Sequence, residues 1–195
     1  MQGKRSLADY ETSKMELGDE LHLLQKTFSA ALRSTQEQMM NFKIDSRARA
    51  LEASIMQSFF AQYLKENFGR KAFYAKYKRL VLRTRGYLLL FKKLNAKGMP
   101  MNIKTGSVQS ILNQSQILDL FASSDYNDEP ILYFGYQKNR FGEYVNPQIV
   151  YIDEGKIVFS IGLNDMDFGL GLSVTGDAPI VVSPTIRDNN IKKAN

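Results

Sequence analysis

The chain has no cysteine, no tryptophan and one histidine among its 195 residues. Without thiols it forms no disulfide, no thiolate metal site and no cysteine nucleophile, and a solitary His22 has no second imidazole with which to share a metal. Chemistry is left to carboxylates, lysine, tyrosine, serine and threonine. No proline precedes Pro100, and all five (Pro100, Pro130, Pro147, Pro179, Pro184) lie at or after it. Proline breaks helix interiors, so its absence from the first half predicts continuous helices there. Long apolar runs are missing as well. The longest, Tyr87 to Phe91, is far short of the roughly 20 residues that span a bilayer. The first thirty residues carry Asp9, Glu11, Glu16, Asp19 and Glu20 and no apolar core. Neither a secretory signal nor a membrane span is expected, and the expected location is the cytoplasm or a virion.

What is present is a globular composition, 44% apolar and 24% charged, with a net charge of +6. That total conceals a division. Residues 1–100 hold 19 Lys and Arg against 9 Asp and Glu, a net of +10, whereas residues 101–195 hold 7 against 11, a net of −4. A basic half of this kind suits an anionic partner.

In the first half, Leu17, Leu21, Leu24, Phe28, Ala31 and Thr35 recur at alternating four- and three-residue steps, the spacing of a helix packed along its length or of a coiled-coil seam. Asp45 or Ser46 can cap a second helix ending near Phe68, with Gly69 as its stop. Residues 70–97 then read as a third, basic helix. Phe73, Tyr77, Leu80, Val81, Tyr87, Leu88 and Phe91 form its apolar arc. Arg70, Lys71, Lys76, Lys78, Arg79, Arg83, Arg85, Lys93 and Lys97 cover most of the rest, and no acidic residue lies between Arg70 and Lys97. Like charges at helical spacing repel, so an anion is expected nearby: nucleic acid phosphate, the acidic half of this or another copy, or an anionic membrane surface. Leu82, Leu89 and Leu90 would project among the cations. Together with Leu17, Leu21, Leu24 and Phe28, they are expected to make oligomer or partner contacts.

In the second half, residues 99–125 read as a connector with a short helix from about Ser107 to Ala122. Strands are expected at 131–137, 144–152, 156–161, 170–175 and 180–182, separated by turn residues. The segment Ile149 to Ile161 is the clearest hairpin, with Gly155 at its turn. Glu154-Gly155-Lys156 superficially offers the carboxylate and lysine of a Mg²⁺-dependent nuclease, with Asp125, Asp128 or Asp153 as a second ligand. The glycine marks a turn rather than a strand interior, however. Asn164 to Gly169 resembles the opening of a calcium loop but lacks the later ligands.

The sequence therefore predicts an α+β protein. It comprises a long-helix bundle or coiled-coil-like basic three-helix region (1–98), a connector (99–125) and a small, mostly antiparallel β-sheet or barrel module (126–195). The expected function is non-enzymatic binding and assembly. The protein would be a homo-oligomer, needing no cofactor or metal, whose basic helix meets nucleic acid or another acidic surface, in the manner of a virion or phage connector, packaging or tail component. A Mg²⁺-dependent nuclease using Asp/Glu and Lys156, and a membrane-surface protein, are the alternatives.

Overall fold

The computed structural model describes residues 3–101, 103, 105–116 and 128–163. Helix α1 (Tyr10–Met40) begins at Asp9, whose carboxylate accepts a hydrogen bond from the Thr12 amide at 3.1 Å, the usual N-cap device. Its buried face carries Leu17, Leu21, Leu24, Phe28, Ala31 and Thr35, as the periodicity requires. Helix α2 (Leu51–Phe68) packs along α1 and stops at Gly69. It starts some five residues later than expected.

The third helix does not exist. Residues 72–93 form three strands: β1 (Ala72–Ala75), β2 (Arg79–Thr84) and β3 (Tyr87–Lys93). The physical reason lies in the alternation of their apolar side chains. Leu80, Leu82 and Leu89 enter one core, and Val81, Leu88 and Leu90 enter another, so the run is apolar on both faces of a sheet rather than on one arc of a cylinder. Arg85 and Gly86, with φ of 50° and 78°, make the two-residue turn between β2 and β3 that a right-twisted hairpin favours.

After β3 the chain passes through helix α3 (Gly106–Leu112), capped by the Thr105 hydroxyl, and returns as β4 (Ile131–Lys138), β5 (Tyr144–Asp153) and β6 (Lys156–Gly162). The three strands and the Glu154-Gly155 turn, with φ of 50° and 71°, agree with the sequence. The short helix ends at Leu112, some ten residues before its expected end, and the expected strands at 170–175 and 180–182 and the calcium-like loop lie outside the described residues.

The six strands of the described residues join one sheet in sequence order. Neighbours are antiparallel except β3 and β4, which run parallel from Leu88↔Ile131 to Lys93↔Tyr136. This parallel pair joins strands from both sides of residue 98 in one sheet. The main core draws on α1, α2 and strands from both sides of that boundary, from Leu17 to Leu163. A second core on the opposite face contains Val81, Leu90, Tyr133 and Val150 under Ile111 of α3. An α+β architecture stands, with two helices on one face of a mixed sheet in place of a separate bundle and module.

Candidate anion-binding cavity

The N-terminal half of α2 passes over the ends of β2 and β3, and between them lies a cavity of about 390 Å³. Its walls come from apolar periodicity in both elements. Met56 and Phe60 face down from α2, while Leu80, Phe91, Phe134 and Tyr136 face up from the sheet. The rings pack on one another, Phe60 stacking on Phe134 at 5.5 Å and meeting Phe91 edge-on at 5.0 Å. Phe91 and Tyr136 remain partly exposed.

The mouth is cationic. Lys78, Arg79, Lys92 and Lys93 border it, and none of the described residues lining it is acidic. Strand alternation places Lys93 on the α2 side with Phe91 and sends Arg79 and Lys92 to the other side with Val81 and Leu90. The four charges therefore straddle the end of the sheet. Arg79 Nη1 is buried without a hydrogen-bond partner among the described residues. The Lys92 ammonium is held below its ordinary pKa, chiefly by burial and further by the neighbouring Arg79. Burial holds the Tyr136 hydroxyl above its ordinary value, and Glu52 adds to the effect, so this phenol stays protonated across the physiological range.

The turn that carries Lys78 is strained. Tyr77 and Lys78 adopt φ of 61° and 53°, both left-handed and neither glycine, a conformation that costs about 1–2 kcal/mol per residue. Tyr77 is 78% exposed at the cavity edge, with Lys76 Nζ 5.6 Å from its ring centroid. Nearby, Tyr74 of β1 is 48% exposed under Lys65 Nζ at 4.3 Å.

The nine cations singled out in the sequence thus divide. Arg79, Lys78 and Lys93 meet at the cavity, and Lys76 adjoins it. Arg70 and Lys71 lie exposed in the turn before β1, and Lys97 lies in the turn after β3. Arg83 and Arg85 are answered within the chain. Arg83 Nη2 lies 2.6 Å from Glu129, and Arg85 Nε lies 2.7 Å from Glu20 of α1. The seven apolar positions expected to meet a partner are instead core. Leu17, Leu21, Leu24, Leu82 and Leu89 are fully buried and Leu90 and Phe28 nearly so, because the sheet gives each a second apolar layer. The basis for an oligomer contact at these residues is thereby removed.

Sequence reasoning missed Lys92 and the aromatic walls. A strand reading of Leu88-Leu89-Leu90-Phe91-Lys92-Lys93 would have separated the two lysines onto opposite faces and shown both. At the other candidate site, Lys4 Nζ engages Asp153 at 2.7 Å and Glu154 at 3.5 Å, while Lys156 is exposed across the hairpin turn. No group of three or more His, Asp or Glu is placed to hold a metal among the described residues. Nor, among them, is any helix long and apolar enough to cross a membrane. No protein-family model, curated protein or solved structure matches the chain.

Proposed function

We propose that the protein is a non-enzymatic binding protein for single-stranded nucleic acid, held where α2 crosses the ends of β2 and β3. The observation that carries this reading is the convergence of Lys78, Arg79, Lys92 and Lys93, without a described counter-charge, on a cavity walled by aromatic rings. A cationic mouth alone would suit any acidic surface. Aromatic rings interleaved with the cations favour nucleic acid, because bases stack on ring faces while lysine and arginine follow the phosphates. Tyr74 and Tyr77 extend that pattern outside the cavity. The turn at Tyr77 and Lys78 keeps a costly backbone conformation at the mouth, as binding sites often do.

The test is fluorescence anisotropy with a labelled single-stranded 12-mer, titrated at several salt concentrations. Four phosphate contacts give a slope of log K against log salt near −3, from about 0.7 per contact. Replacing Arg79 and Lys92 together with alanine should weaken binding at least tenfold and flatten that slope. Salt-insensitive or absent oligonucleotide binding, with tight binding of poly-glutamate instead, would assign the site to an acidic protein partner and overturn this reading.

A further inference from the structure

Resting on that reading, we propose that the cavity seats a single unstacked nucleotide, its base between α2 and the sheet and its phosphates crossing the strand ends toward Arg79 and Lys92. A basic surface that merely follows a backbone needs no cavity. This one has the size of small-molecule sites, which run from about 300 to 1,000 Å³, and combines apolar walls with a few convergent polar groups. The partly exposed faces of Phe91 and Tyr136 offer stacking area. The backing rings Phe60 and Phe134, 7% and 1% exposed, hold Phe91 in place, and Phe28 and Tyr144 pack against Tyr136.

Two side chains can recognise a base edge. Gln57 lies exposed on α2 at the cavity and carries both a donor and an acceptor. The Tyr136 hydroxyl, kept protonated, donates. Lys78 and Lys93 at the mouth neutralise the phosphate nearest the base. Arg79 and Lys92, on the other side of the strand ends, meet the next one along the chain. The missing partner of Arg79 Nη1 is then a phosphate oxygen, and the same anion offsets the repulsion between Arg79 and Lys92.

Calorimetric titration of the full chain with a nucleoside monophosphate, the matching nucleoside and inorganic phosphate tests this directly. The monophosphate should bind with one-to-one stoichiometry and at least tenfold more tightly than phosphate, because only it fills the cavity. Ala53 is exposed on α2 and lines the cavity, so Ala53→Trp fills the site from a surface position where the fold tolerates a larger side chain. This variant should lose monophosphate binding at least tenfold while keeping the wild-type thermal melt. Gln57→Leu, which keeps the bulk and removes the polar edge, should weaken the monophosphate severalfold and leave phosphate unchanged. Equal affinity for monophosphate and phosphate, or an Ala53→Trp protein that binds the monophosphate normally, overturns the inference. If the 12-mer still binds with its salt slope in either case, the wider nucleic-acid reading survives. Monophosphate binding without 12-mer binding supports the cavity site and removes the polymer.

Discussion

Arg79 stands opposite Lys92 when the β2–β3 register is continued two residues beyond Val81↔Leu90. The guanidinium lowers the pKa of the ammonium, and no carboxylate among the described residues acts on Lys92 in return. Two like charges held together at a half-buried position are a cost to the fold, and a binding site is a reason to keep them. Lys92→Met should therefore stabilise the protein, by about 0.5–1 kcal/mol, or roughly 1–4 °C in Tm for a chain of this length. The same substitution should weaken oligonucleotide binding severalfold. A thermal melt and an anisotropy titration on one preparation check both signs together. A destabilised Lys92→Met protein would mean that Lys92 has a compensating partner.

The pH dependence of stability follows from the same pair. A lysine whose folded pKa is depressed releases its proton in the folded state before the unfolded state does, so the unfolded chain binds more protons between the lowered value and 10.5. Stability attributable to Lys92 should rise with pH through that window. In urea melts from pH 7 upward, the advantage of Lys92→Met over wild type should be largest near neutrality and shrink as the pH approaches 10.5. Bound anion raises the Lys92 pKa, so wild-type binding should weaken over the same range.

The turn at Tyr77 and Lys78 offers a second separation of stability from binding. Glycine adopts positive φ without a Cβ penalty, but it enlarges the conformational freedom of the unfolded chain. With φ of 53° at Lys78, the first effect should match or exceed the second. Lys78→Gly should change stability by no more than about 1 kcal/mol, in the favourable direction if at all. It should weaken oligonucleotide binding and reduce the salt slope by about 0.7, the share of one phosphate contact. Chemical denaturation and the salt titration give the two readings.

Arg85 should behave in the opposite way. Its partner Glu20 has a side chain only 9% exposed on α1, and Thr84 Oγ1 also donates to it at 3.3 Å. Truncation as Arg85→Ala leaves a buried carboxylate short of a donor, which costs about 1–3 kcal/mol. Binding and its salt slope should be unchanged, since this cation is answered within the chain. Glu20→Gln in the Arg85→Ala background should recover part of the lost stability, as read from urea melts. A loss of binding in folded Arg85→Ala would extend the nucleic-acid path along the β2–β3 hairpin.

Helix α1 was legible in the sequence because it buries one stripe, and a stripe of period 3.6 survives in a bare list of residues. Gly69 and Gly155 likewise announced a stop and a turn through chemistry local to each. The strands within residues 70–97 were not legible, because β2 and β3 are buried on both faces. Leu88-Leu89-Leu90 shows no alternation, and a continuous apolar run of this kind fits a helix as readily as a central strand. The pairing that decides between them joins Leu88 to Ile131, more than forty residues away. Gly86 was the available local signal, since Arg85-Gly86 between two apolar runs is hairpin chemistry. The basic character of the site was visible in composition. Its position was not, because the cavity needs Phe60 and Phe134 brought together across that long-range pairing.

Leu82 gives the sharpest test of this corrected fold. On a basic helix it would be exposed, and Leu82→Ala would disturb self-association with little effect on stability. In the sheet it is fully buried in the main core, next to Leu89 in the β2–β3 register. Removing three buried carbons there forfeits their transfer free energy and leaves a cavity beneath α1 and α2, a loss of about 2–5 kcal/mol. Urea denaturation of Leu82→Ala should show that loss in the midpoint, and light scattering at matched concentration should show an unchanged solution mass. Leu82→Met, close in volume, should cost less than about 1.5 kcal/mol. A stable Leu82→Ala protein with an altered mass would return this leucine to a surface and undo the strand assignment on which the cavity depends.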